Sequence, residues 1–206
     1  MKNILLSLIA VILFSSCSKK KSSYEDDIKH FQYQLNIEFA DAKKSPLTKE
    51  DIKSFKGLKF FEIDEAYKLE ATLELTPNSP IFEMRTSDER LPLYRKYGIA
   101  RFSLYGKKFE LSVYQSQELM TNSEYEDLLF LPFNDKTNGN LSYGGGRFLD
   151  LKLPSEDSNN TIVIDFNKAY NPYCAYSHKY SCPIPPSENN LSVTIKAGVK
   201  AYAEDH

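Results

Sequence analysis

Two apolar periods divide the chain. Ile28, Phe31, Leu35, Phe39 and Ala42 recur at three- and four-residue steps. That spacing lines one face of a helix and predicts a helix over 22–44. Ser22 or Ser23 can cap it, and Glu25, Asp26 and Asp27 fall in the first turn, where acids complement the helix dipole. Lys43 and Lys44 suit the last turn, and Pro46 follows as a stop. Thr48-Lys49-Glu50-Asp51 resembles a capping box with Asp in place of the usual Glu, so a short second helix is predicted, ending near Gly57.

From Leu58 onward the period changes to two. Nine segments read as strands: 58–63, 67–75, 81–84, 99–105, 109–114, 128–133, 148–153, 161–166 and 191–196. Gly106-Lys107 marks a hairpin turn between the fourth and fifth. Short connections and the absence of long crossovers argue for a mainly β fold. An antiparallel β-sandwich or a partly open barrel is predicted, with the amphipathic N-terminal helix packed on it.

Ahead of the helix the pattern is neither of these. Lys2 precedes an apolar run from Ile4 to Phe14, broken only by Ser7, and Ser15-Ser16 lead into Cys17. This is the layout of a secretory signal over 1–16, too short for the ~20 residues of a membrane span. Small residues immediately before a cysteine fit lipid attachment at Cys17, with membrane anchoring through that lipid. An ordinary cleaved signal with an incidental cysteine is the alternative. The basic tether over 17–23, with Lys19, Lys20 and Lys21, favours the periplasmic side of the outer membrane as the location. Residues 24–206 then form one mainly-β domain with its helix.

Composition adds less. A net charge of −2 implies no nucleic acid or other polyanion as partner. The aromatic content, 14 Tyr and 13 Phe with no Trp, suits strands and half-buried positions with one wet end.

Residues 130–190 differ in texture. Tyr143-Gly144-Gly145-Gly146-Arg147 runs into a strand. Asp165, Asn167, Lys168, Tyr170 and Asn171 leave a strand end together, followed by Pro172. Cys174 and Cys182 precede a proline cluster that ends in Glu188 and Asn189. These three runs together resemble the bacterial family catalogued as domain of unknown function 1684, closely over about the last 80 residues and loosely through the middle. That family has no established activity, so the resemblance bears on fold and boundaries more than on function.

Each piece carries its own chemistry. The glycines and Arg147 can form an anion cradle with a cation beside it, or a turn entering a strand with Arg147 paired to a local acid. Asp165, Asn167, Lys168, Tyr170 and Asn171 can converge on a pocket, or hold a turn through their own backbone. Glu188 can complete the same pocket. Cys174 and Cys182 enclose seven residues. In an oxidising compartment a disulfide is the first expectation, stabilising by about 2.5 kcal/mol on the chain-entropy model. Zinc with His178, or two inert thiols, are the alternatives. No phosphate loop, dinucleotide fingerprint or nucleophile elbow is present, so no cofactor is implied. The favoured function is binding of a small polar or anionic ligand near Arg147, Lys168 and Asp165. A hydrolase using Asp165 or Glu188 with Tyr143 or Tyr170 is the alternative, and an envelope interaction protein the third.

Overall fold

A computed structural model describes residues 23–202. The signal segment, Cys17, the tether up to residue 22 and His206 lie outside them. Among the described residues no helix is long and apolar enough to cross a membrane.

Helix α1 spans Tyr24–Ala40. Ser23 closes a reciprocal capping box with Asp26, a device worth about 1 kcal/mol, and three acids occupy the first turn. The helix ends at Ala40, four residues before the predicted boundary. Asp41 turns extended there, and the chain bends through Ser45, leaving Ala42 exposed rather than on the buried stripe. Helix α2, Lys49–Ser54, starts at its Thr48 cap as the sequence indicates.

Seven strands form one antiparallel sheet: β1 Lys68–Leu75, β2 Ile81–Glu83, β3 Leu93–Leu104, β4 Lys107–Ser116, β5 Leu128–Phe133, β6 Arg147–Lys152 and β7 Thr161–Asp165. The order is β6-β5-β4-β3-β1-β7, with β2 beside the start of β3. The β3–β4 turn is centred on Tyr105 and Gly106, both at positive φ, one residue earlier than expected. The sheet curls into a half-barrel, the partly open member of the predicted pair. Its two edges, β6 and β7, approach one another. Just past β7, Tyr170 exchanges both backbone hydrogen bonds with Phe148 of β6, at 2.9 and 3.0 Å, so the curl is pinned at that end. Beyond that bridge, Tyr24, Asp27 and Ile28 of α1 line a seam cleft together with residues of both edges.

Two predicted strands are corrected. Residues 58–63 make only an isolated bridge, Phe60 to Val199. Residues 191–196 form no strand, with bends at Ser192 and Val193, yet Leu191 and Ile195 are buried as their alternation indicates. Their backbone groups, however, bond singly to the segment after β5 and to side chains: Leu191 N donates to Asn134 O (2.8 Å), and Lys136 N to Val193 O (3.0 Å). Alternation thus reports burial correctly here without a strand partner.

The core fills the curl with Leu73, Leu111, Leu131, Ile164 and Phe166 among its fully buried members. A second cluster, Phe39, Leu47, Leu58, Tyr176 and Val199, docks the C-terminal half of α1. The N-terminal half is held by Ile28, which is wholly buried and contributes about 1.5–3 kcal/mol by its transfer from water.

Candidate functional site

Strand β6 sorts the candidate chemistry by parity. Arg147, Leu149 and Leu151 point into the curl, while Phe148, Asp150 and Lys152 point out of it. Arg147 is therefore not at a ligand cradle. Its guanidinium has no solvent exposure, and its Nη2 pairs with Asp135 Oδ2 at 2.5 Å. Its nitrogens also donate to the carbonyls of Ile195 (2.8 Å), Ala197 and Val199 (3.4 Å). The cation sits 5.3 Å from the Phe133 ring centroid and 5.7 Å from that of Phe61. Burial pulls the Arg147 pKa down, and Asp135 opposes that pull. This is a structural ion pair that ties residues 195–199 to the barrel. Tyr143, Gly144, Gly145 and Gly146 form the turn that delivers it: Gly146 N donates to Tyr143 O at 3.3 Å. Gly146 has φ +93°, and a Cβ there would lie 2.6–2.9 Å from Pro185, Asn134 and Phe133 atoms. Gly146 is required by the turn, with no ligand invoked.

The polar strand end after β7 is also largely turned inward. Tyr24 Oη donates to Asp165 Oδ1 (2.9 Å), and Asp165 caps the turn by accepting from Asn167 N (3.1 Å). Asn167 Nδ2 donates to Tyr24 Oη (2.9 Å) and to Asp64 O (2.8 Å), while its Oδ1 accepts from Asp64 N (3.1 Å). This knot fastens the start of α1 to the β7 edge. Burial and the Asp165 carboxylate push the Tyr24 phenol well above its ordinary range. Lys168 alone of this set stands exposed. It lines a seam cleft of about 410 Å³ with Asp165, Lys68, Asp27 and Asp150.

The remaining candidates disperse. Glu188 accepts from Tyr114 Oη (2.8 Å) and pairs with Lys96 Nζ (2.5 Å), in an open hollow between β2, β4 and the proline segment. Asp165 lines the seam cleft and Glu188 does not. Burial raises its pKa, but the hydrogen bonds from Lys96, Tyr114 and Ser112 outweigh that and hold it low. Tyr143 Oη reaches Cys174 Sγ at 3.8 Å, and Tyr170 Oη donates to Asp150 Oδ1 at 2.9 Å. Neither tyrosine contacts the carboxylates expected to work with it. Asn171 is buried, donating to Tyr176 Oη (3.2 Å) and Lys200 O (3.0 Å). Cys174 and Cys182 are free thiols, not the disulfide first expected. Cys174 N donates to Cys182 Sγ at 3.1 Å. The hydrogen bond from Cys182 is the main cause that lowers the Cys174 thiol to about 7. Among the described residues no group of three or more His, Cys, Asp or Glu side chains is placed to hold a metal.

What the structure brings together instead lies under α1. Ile28 and Phe39 of the helix are buried, while between them Phe31 is half-buried and Leu35 packs only in part against the Phe39 cluster. A cleft of about 400 Å³ explains this gap in the stripe. Phe31, Leu35, Glu38 and Phe39 form its helix wall. Phe148 and Asp150 of β6 face them, and Tyr170, Tyr173, Tyr176 and Tyr180 enclose the rest. Its size falls within that of small-molecule sites, and its walls have their composition, apolar rings with a few polar groups. Asp150 lines both this cleft and the seam cleft. Although solvent reaches Asp150, the surrounding walls raise its pKa, against the hydrogen bond that Tyr170 donates to it. Burial and Asp150 together push the Tyr170 phenol well up. Glu38, Phe148, Asp150, Tyr173 and Tyr180 are absent from the sequence-based candidates. The available signal was the parity of β6, which sets Phe148 and Asp150 on the outer face.

The comparisons with known proteins agree with this architecture. The model of the family described as protein of unknown function (DUF1684) matches residues 53–200. The solution NMR structure of an uncharacterized protein from Haloarcula marismortui is similar, with 32% sequence identity and a TM-score of 0.68. The likeness covers 88% of this chain and 96% of that one. It extends beyond the family match toward the N-terminus, and so into α1. A search of curated proteins finds no match. The chain belongs to the DUF1684 family of proteins of unknown function.

Proposed function

We propose that this protein is a binding module of the cell envelope, which takes a small molecule in the cleft beneath α1. The observation that carries the reading is the incompletely buried middle of the helix stripe. Phe31 and Leu35 give up part of their burial over a recess of ligand size walled by aromatic rings. A stretch shaped only for docking would seat those residues against the sheet, because burying each fully would contribute about 1.5–3 kcal/mol. Lipid attachment at Cys17 is part of the same proposal, and would hold the domain at a membrane surface, facing the periplasm.

A thermal-shift screen with benzylamine, benzyl alcohol and benzoate tests the cleft. At least one probe is expected to raise the melting temperature of the full chain and to lose that effect in Leu35→Trp, which fills the recess. Equal responses in both proteins, or none in either, would contradict the reading. For the anchor, Cys17→Ser is expected to move the protein from the membrane to the soluble fraction.

A polar ligand in the seam cleft is a second reading, favoured by Lys68 and Lys168 on its walls. It keeps the anionic ligand expected from the sequence but moves it away from Arg147.

A further inference from the structure

The charged groups lining the aromatic cleft are of one sign. Among the described residues, Glu38 and Asp150 are its only carboxylates, and no Lys, Arg or His lines it. Asn171 Oδ1, a buried acceptor without a donor among the described residues, belongs to the same wall. Two cations that are not part of the lining contact lining residues. Arg90 donates to Ser181 Oγ (3.1 Å) and Ser181 O (3.0 Å), and Lys179 Nζ sits 4.8 Å from the centroid of the Tyr180 ring. Rings accumulate here as well: Phe148 packs edge-on to Tyr170 at 6.0 Å, and Tyr173 lies 5.2 Å from Tyr180. Carboxylates among aromatic side chains favour a cation, through charge pairing and through the negative faces of the rings.

We infer that the ligand of this cleft is a small organic cation, an amine or quaternary ammonium on an apolar body, with its nitrogen placed by Asp150 and Glu38 among Phe148, Tyr170, Tyr173 and Tyr180. This deepens the binding-module reading and rests on it. The direction of the ionisations agrees. Asp150 is raised by burial in the free protein, and Tyr173 is raised by burial and by the charge of Glu38. A cation arriving in the recess would supply the compensating charge that Asp150 lacks, because an opposite charge nearby favours the ionised carboxylate.

Three probes with one ring separate charge from shape: benzylamine, benzyl alcohol and benzoate, titrated into the full chain at pH 7 and followed by NMR of the Phe and Tyr ring signals. Benzylamine is expected to bind at least about tenfold more tightly than benzyl alcohol, with benzoate weaker still. Asp150→Asn keeps an acceptor for Tyr170, so the fold is expected to persist. In that variant the preference for benzylamine over benzyl alcohol should shrink severalfold. Benzoate binding as tightly as benzylamine, or an unchanged preference in Asp150→Asn, would overturn the inference while leaving the cleft a binding site. If no probe moves a cleft signal, the inference and the binding-module reading both fall.

Discussion

Replacing Arg147 with alanine removes a fully buried guanidinium and leaves the Asp135 carboxylate, itself without exposure, facing no cation. The carbonyls of Ile195, Ala197 and Val199 lose their donor at the same time. Breaking a buried pair by deleting one partner costs about 3–5 kcal/mol, and each orphaned carbonyl adds up to about 1–3 kcal/mol where no water replaces the donor. Domains of this kind carry about 5–15 kcal/mol in total. Taking about 4 kcal/mol as the loss and a urea slope of about 2 kcal/mol/M, the midpoint should fall by about 2 M. The chain has no Trp, so far-UV circular dichroism is the suitable probe. The double variant Arg147→Met with Asp135→Leu removes both charges, and should cost clearly less than the sum of its two single changes. A melt of Arg147→Ala within about 1 kcal/mol of the parent, or a double variant as costly as that sum, would refute the reasoning and return Arg147 to the list of ligand contacts.

Other outcomes follow from the same geometry. Asp150→Asn should be more stable than the parent at pH 7, because the folded pKa of Asp150 is raised above its ordinary 3.8. The group's contribution is then full at low pH and lost as pH rises through the folded value, so urea midpoints of the two proteins should converge below about pH 4. Gly146→Ala should cost about 2 kcal/mol or more in a thermal or urea melt, from the positive φ and the contacts its Cβ would make. Tyr24→Phe should lose about 1–2 kcal/mol and increase hydrogen exchange at the start of α1, because Asp165 and Asn167 lose their shared hydroxyl. Alkylation by iodoacetamide should label Cys174 first, with a pH midpoint below that of an ordinary thiol, while Cys182, raised by the Cys174 thiol and by burial, lags.

Much of the architecture was legible because it rests on local periodicity. The stripe of α1, its cap and the alternation of β1, β5, β6 and β7 all come directly from side-chain spacing. Segment 191–196 shows where that logic stops. Its alternation marks which residues are buried, but not that its neighbour is a guanidinium and an irregular segment rather than a strand. The site was less legible. A cation after three glycines looks the same in sequence whether it points at solvent or at the core. The parity shared by Arg147, Leu149 and Leu151 did hold the answer, and it also set Asp150 on the outer face. The Asp165–Asn167 knot needed Tyr24, 141 residues away from Asp165 in the chain, to turn it from a pocket into a clasp. The aromatic cleft draws on α1, β6 and residues 170–182, and no short-range pattern joins those three.

The central claim is the place of binding, and a map of perturbed signals tests it most directly. The full chain, with labelled Phe and Tyr rings and backbone amides, would be titrated with benzylamine and benzyl alcohol. The account predicts shifts confined to Phe31, Phe39, Phe148, Asp150, Tyr170, Tyr173 and Tyr180, with Lys68, Lys168 and Glu188 unmoved. Shifts centred on Lys68 and Lys168, or on Glu188, or no shifts under α1 at saturating probe, would contradict it.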